Sequence, residues 1–211
     1  MEEIRPYRSE DYEHAKRIWR EVGWIENDNF EDLRLQLEGG RGQVGRIRGE
    51  AETLAITMPG EYRYGEMDLP ITLVTAVTTS LVARRQGLAG RTTARALQEG
   101  AEAGEVVAAL GIFDQGYYDR LGFATMSYNH ELRFDPAQLT TRERLAPPHR
   151  FDASHSDALH AARLSRRRCH GSVNILPSQA TRAAATFYPG LMGLGYYDND
   201  ARITHHIWGE I

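Results

Sequence analysis

Val77-Thr78-Thr79-Ser80-Leu81-Val82-Ala83-Arg84-Arg85-Gln86-Gly87-Leu88-Ala89-Gly90 decides the fold of this 211-residue chain. It opens as a β-branched run, closes on cationic and small residues, and continues into a helical segment carrying Ala94, Ala96 and Leu97. That order is a strand, a glycine-containing turn and a helix. Such a junction points unpaired backbone N–H groups and the positive end of the helix dipole at one place. A phosphate or diphosphate binds there without a dedicated side chain. Glycine at position 87 lets a ligand approach the main chain, where a Cβ would obstruct it. Arg84 and Arg85 add charge-assisted donors. These residues predict a turn that holds a phosphorylated cofactor.

Outward from this stretch, strand and helix signals alternate. Residues 4–8 read as a short strand, and Ser9 as the cap of a helix bearing Tyr12, Ala15, Ile18, Trp19 and Val22. A second helix over 30–37 aligns Leu33 with Leu37 and stops at glycines 39, 40, 42 and 45. Strands over 43–47 and 52–58 flank a tight turn at Arg48-Gly49-Glu50. An irregular polar stretch through Tyr64-Gly65-Glu66 leads to a long strand over 73–81. A helix over 88–99 stops at Gly100, followed by a strand over 106–110, a short helix over 115–121 and a strand over 126–134. Strands 73–81 and 106–110 should pair in parallel, because a helix separates them. The class is α/β, a mixed sheet flanked by helices. Residues 136–150, with Pro136, Pro147 and Pro148, read as a linker between a unit over 1–135 and a segment over 151–211. That segment is expected to hold helices over 156–168 and 179–187, and a hairpin pairing 192–197 with 202–208.

Composition excludes several functions. The formal charge of −4 gives nucleic-acid binding no global electrostatic support. Lys16 is the only lysine among 25 Lys and Arg, which reads as coding bias. Arg163, Arg166, Arg167 and Arg168 read as a solvated helix face. The single cysteine, Cys169, excludes an internal disulfide, fits a reducing compartment and reads as a small packed side chain. No apolar run reaches membrane-spanning length, and the acidic start is unlike a signal peptide, so a cytoplasmic protein is expected. His205 and His206 face opposite sides of a strand, and His155 and His160 are five apart on a helix, so no metal site is expected.

Arg84-Arg85-Gln86-Gly87-Leu88-Ala89 resembles the acyl-CoA signature of the GNAT superfamily of N-acetyltransferases. Gly116-Tyr117-Tyr118-Asp119-Arg120-Leu121-Gly122-Phe123 is similar to the tyrosine segment after the fifth strand of that fold. A closer resemblance is to the enhanced intracellular survival (Eis) branch. It rests on Tyr64-Gly65-Glu66-Met67-Asp68-Leu69-Pro70-Ile71, on the tyrosine segment, and on the tail after Arg150. The resemblance covers residues 3–135 well and 150–211 loosely. Members of that branch are usually about twice as long, which implies that this chain lacks most of a second, GNAT-like domain and all of a third. Leu81 stands where such strands often end in proline.

The resemblance implies acetyl-CoA as cosubstrate. Its pantetheine would lie along the main chain of Val77, Thr78 and Thr79. Its diphosphate would meet Arg84, Arg85, Gln86, Gly87, Leu88, Ala89 and Gly90. Tyr118 would protonate the departing thiolate. A small amine acceptor would meet the acidic, aromatic loop containing Trp24, Glu26 and Asp28. The implied activity is N-acetyl transfer by direct attack of the amine on the thioester. The alternative is a non-catalytic acyl-CoA-binding or oligomeric assembly module, in which an unfinished sheet edge pairs with another copy. The acceptor amine and the general base stay open.

Overall fold

The computed structural model describes all residues except 1, 26–27, 112–115, 126–132, 134, 139, 141–145, 166–171, 188–190 and 211. Its first half runs β1 (Glu2–Pro6), α1 (Tyr12–Glu21), α2 (Glu31–Gly39), β2 (Arg41–Ile47), β3 (Glu50–Tyr64), β4 (Met67–Thr79), α3 (Leu88–Glu102) and β5 (Val107–Leu110). The second half adds β6 (His149–Phe151), α4 (Ser156–Leu164), β7 (Ser172–Ile175), α5 (Ser178–Phe187), β8 (Leu191–Tyr197) and β9 (Ile203–Glu210). One sheet has the order β1-β2-β3-β4-β5 with β7 also against β3; a second has the order β6-β8-β9. β4 and β5 are parallel, and every other pair in the first sheet is antiparallel. This is the mixed α/β architecture expected.

Alternate residues of the strands send their side chains into two helical layers. Val44, Leu54, Ile56 and Ala76 pack with Ala15 and Trp19 of α1 and Leu33 of α2. On the opposite face, α3 lays Leu88, Thr92 and Ala96 against the sheet. Gly45 is the floor under the first turn of α3. A Cβ there would lie 2.7 Å from Thr92 Oγ1 and 2.8 Å from Leu88 Cγ. Gly45→Ala is therefore expected to lift that turn and lower stability by about 1–3 kcal/mol, read as the shift in a urea denaturation midpoint.

Several boundaries depart from the sequence reading for local reasons. Ser9 does not cap α1; it opens a short 3-10 turn, Ser9–Asp11. The Asp11 carboxylate satisfies this corner instead, accepting from the Arg8 N–H at 2.9 Å and from Arg5 at 2.8 and 2.9 Å. The stretch around Tyr64-Gly65-Glu66 is not irregular. β3 and β4 continue to a two-residue turn there, with Tyr64 opposite Met67 and Gly65 at φ 55°. β4 stops at Thr79, and Leu81–Ala83 form a 3-10 turn whose first N–H bonds Glu21 Oε2 at 2.9 Å. Of the expected short helix over 115–121, residues 116–121 are described, and Tyr118–Leu121 form a 3-10 turn after a turn at 116–117. The strand expected over 126–134 lies almost wholly outside the described residues, as do Cys169 and Arg166 to Arg168.

The segment over 151–211 is not set apart from the first sheet. β2 pairs with β3 only as far as Thr57, leaving the outer edge of β3 open beyond it. β7 fills that edge, with Glu61 opposite Ile175 and Tyr64 opposite Ser172. Closing an exposed edge is a common use of such a strand. α5 then packs on α2, where Gln179 sits against Gly39. Phe151, Leu159, Ala162 and Ile203 form a separate small core with Trp208.

Candidate active site

The site begins where two strands part. β4 and β5 run together only from Ile71 opposite Val107 to Val74 opposite Leu110. Beyond that point the described partner of β4 is β3 alone. Ser80 donates to the Glu52 carbonyl at 2.8 Å, in register with Thr79 opposite Thr53 and Thr78 opposite Leu54. By antiparallel alternation Thr78 turns its main-chain groups toward β3, while Thr79 and Val77 turn theirs toward the open side. The Thr78 side chain is buried. Of the three expected pantetheine-strand residues, Val77 and Thr79 thus line the opening and Thr78 does not.

A bulge shapes this edge. Leu54 opposes Thr78 but Ile56 opposes Thr75, so Ala76 and Val77 share one partner position. Ala76 sits at φ 51°, in the left-handed region that alanine disfavours. Its burial in the α1/α2 core holds it there. Strain of this kind collects where a backbone is aimed at a ligand.

The turn that follows is built from two left-handed residues, Arg85 at φ 60° and Gly87 at φ 70°. Gln86 Nε2 donates to the Val82 carbonyl at 2.8 Å and closes it. The bond from Arg91 N–H to Gly87 O, at 3.3 Å, opens the helical ladder of α3. The N–H groups of Leu88, Ala89 and Gly90 precede that ladder, and no side chain caps them. Arg84, Arg85, Gln86 and Gly87 are exposed, and Leu88 is buried. Ala89 lines the cleft itself.

A cleft of about 1010 Å³ joins these features. Tyr117 and Tyr118 form part of its wall, ring against ring in a T at 4.8 Å, with Phe123 edge-on to Tyr118 at 5.9 Å. The pair is not equivalent. The Tyr117 hydroxyl lies 4.0 Å from the position a Cβ on Gly90 would take, and burial raises its pKa. Burial therefore makes Tyr117 a weaker acid.

Across the cleft stands the loop between α1 and α2. Trp24 lines the cleft and packs edge-on to Trp19 at 5.2 Å. Glu26 lies outside the described residues. Asp28 does not line the cleft; it is 76% exposed and bound by Arg20 Nε and Nη2 at 2.9 and 2.7 Å. The carboxylate that does line it is Asp32, 9% exposed, which the sequence reading passed over. Gln36 Nε2 donates to both its oxygens, at 2.9 and 3.0 Å, and Gln36 Oε1 accepts from Thr75 Oγ1 at 3.2 Å. Burial raises the Asp32 pKa despite the hydrogen bond from Gln36. The sequence signal was an acid and an amide four apart, each one position before Leu33 and Leu37. The remaining wall comes from Leu176 and from Ala180, Ala183, Ala184 and Thr186 of α5. Nothing local in the sequence announces that wall.

Among the described residues no group of three or more His, Cys, Asp or Glu could hold a metal ion, and no helix is long and apolar enough to cross a membrane.

The model of the GNAT acetyltransferase domain matches residues 3–126. The chain belongs to that family. No curated protein matches the sequence. A probable N-acyltransferase of unknown function from Enterococcus faecalis superposes on all of this chain and 55% of its own, at 12% identity and a TM-score of 0.77. Eis1 from Mycobacterium abscessus superposes on 92% of this chain and 50% of its own, at 18% identity and a TM-score of 0.67. A GNAT family acetyltransferase from Brucella melitensis, solved with acetyl-CoA, covers 63% of this chain and 92% of its own, at 18% identity and a TM-score of 0.50. This chain spans about half the length of the first two. At such identities the likeness is one of fold.

Proposed function

We propose that the chain is an acetyl-CoA-dependent N-acetyltransferase acting on a small amine. One observation carries this reading: Val77 and Thr79 on the open edge of β4 line one cleft with Ala89, whose N–H is among the three that precede the helical ladder of α3. In this reading the main chain of Val77 and Thr79 holds the pantetheine amides. The N–H groups of Leu88, Ala89 and Gly90 hold the diphosphate, with Arg84 and Arg85 beside it. A strand N–H near the Ala76 bulge receives the carbonyl oxygen as it gains charge. The amine nitrogen bonds to the carbonyl carbon, the C–S bond breaks, and its electron pair goes to sulfur. Tyr118 gives that sulfur its proton, the acylated nitrogen sheds one to solvent, and solvent reprotonates Tyr118.

The acetyl-CoA complex of the Brucella relative supports the choice of cosubstrate. The match to Eis1, extending over 92% of this chain, supports placement in the Eis branch, with residues 151–211 as part of a second GNAT-like unit after the linker at 136–150. β7 and α5 tie that segment to the first unit. The single cysteine supports a cytoplasmic setting. The outer edge of β9, where Ile207 is 62% exposed, supports pairing with a second copy. A cleft with both a thioester side and a separate acceptor wall favours catalysis over a binding-only module. Thiol release from acetyl-CoA, followed across an amine panel, tests the reading. Amine-dependent release is expected; tight acetyl-CoA binding with no amine-dependent release would make the chain a binding module instead.

A further inference from the structure

The cleft carries one charged side chain among its described lining residues, and that charge has no counterion. Asp32 is buried; no lysine, arginine or histidine lines the cleft with it. Among the described residues, nearby carboxylates are engaged elsewhere: Glu21 with Arg17, Asp28 with Arg20 and Glu31 with Arg34. Asp32 receives a neutral donor only, the Gln36 amide. An ionised carboxylate away from water is costly unless a cation or several donors offset it. Its place in the first turn of α2 gives part of that offset through the helix dipole. The remainder is left for whatever enters the cleft.

Two further observations fix the class of that occupant. Gln36 links Asp32 to Thr75, and Thr75 adjoins the Ala76 bulge, so the carboxylate is oriented from the strand proposed to hold the thioester. Most of the rest of this wall is apolar, from Trp24, Ile25, Leu176 and the alanines of α5, with Asn29 and Thr186 as uncharged polar groups among them. We infer that Asp32 draws in the acceptor as its ammonium, which gives up a proton to solvent before its nitrogen attacks, and that the acceptor is a monoamine with an apolar body. A polycation would leave its further charges against a largely apolar wall, with no second carboxylate among the described lining residues to meet them. α5, which lies outside the matched family domain, supplies the surface for the apolar body. The inference rests on the acetyltransferase reading above.

The test uses the full chain, with phenethylamine as acceptor, phenethyl alcohol as its neutral counterpart and spermidine as the polycation. The wild-type chain is expected to acetylate phenethylamine with a KM at least about tenfold below that for spermidine, and to bind the amine at least about tenfold more tightly than the alcohol. Asp32→Asn is close in shape and is expected to raise the phenethylamine KM about 10- to 100-fold. Acetyl-CoA affinity and inhibition by phenethyl alcohol should stay within about twofold. An unchanged KM in Asp32→Asn, a parallel loss of alcohol inhibition, or a preference for spermidine would overturn the assignment. The comparison of amine with alcohol needs no variant and decides the matter if Asp32→Asn does not fold. Absence of acetyl-CoA binding by folded wild-type chain would instead sink the underlying acetyltransferase reading, and this inference with it.

Discussion

Tyr118→Phe is expected to lower turnover by about 10²- to 10⁴-fold at saturating acetyl-CoA and to leave acetyl-CoA affinity within about twofold. The size of the effect follows from acidities. A phenol is a much stronger acid than bulk water, so it protonates a departing thiolate at far smaller cost. Removing the phenol therefore removes most of the assistance to the leaving group, while the phenylalanine ring keeps the contacts to Tyr117 and Phe123. Tyr117→Phe is the control. Burial makes that phenol a weaker acid, and its removal is expected to cost less than about tenfold in turnover. Rapid-mix thiol release, with acetyl-CoA affinity measured separately by calorimetry, distinguishes the two. Equal losses of affinity and turnover in Tyr118→Phe would make the tyrosine a packing residue.

Arg5→Ala is expected to cost about 3–5 kcal/mol of stability at pH 7. The Arg5 guanidinium grips Asp11 with two bonds, at 2.8 and 2.9 Å, and the Asp11 side chain is only 1% exposed. Burial alone would raise the Asp11 pKa; the Arg5 guanidinium and the Arg8 N–H outweigh it and hold the carboxyl below the ordinary carboxylate range. The pair thus contributes its full stabilisation above about pH 4 and loses it as pH falls through the depressed folded value. In Arg5→Ala the sign reverses. Asp11 is left buried without its cation, its pKa rises, and the deficit narrows as the pH is lowered from 7 toward 5. Asp11→Asn in the Arg5→Ala background should restore part of the loss at pH 7. Urea denaturation at both pH values measures this, and a loss below about 1 kcal/mol with no pH dependence would show the pair to be replaceable.

What the sequence made legible divides along a physical line. The strand, turn and helix around Gly87 were readable because a β-branched run, a glycine and a helical period lie within fourteen residues of one another. The hairpin near the end was readable for the same reason, and β8 and β9 fall within about two residues of expectation. Local chemistry sufficed there. The corner at Ser9 was misread because a cap preference is weaker than a buried ion pair, and Asp11 takes the role through Arg5. The β3–β4 hairpin was missed around Tyr64 because its tip combines charged and polar side chains, and its pairing includes β7, more than a hundred residues away.

The site divides likewise. Val77, Thr79, Ala89 and Tyr118 share the cleft as their motifs suggested, whereas Thr78 faces β3 and Asp28 is engaged by Arg20. Motifs fix which backbone is present. They do not say which way a strand residue points once a bulge at Ala76 shifts the register. Asp32 went unnoticed for a related reason. An acid in the first turn of a helix is ordinary, and only packing by α5 and β4 turns this one into a buried carboxylate facing a cleft.

A crystal structure of the chain soaked with coenzyme A tests the central claim most directly. The account predicts the diphosphate within hydrogen-bonding reach of the Leu88, Ala89 and Gly90 N–H groups, and the pantetheine along Thr79 and Val77 on the side that β5 leaves open. Coenzyme A held elsewhere, or no binding by well-folded protein at millimolar ligand, would contradict it.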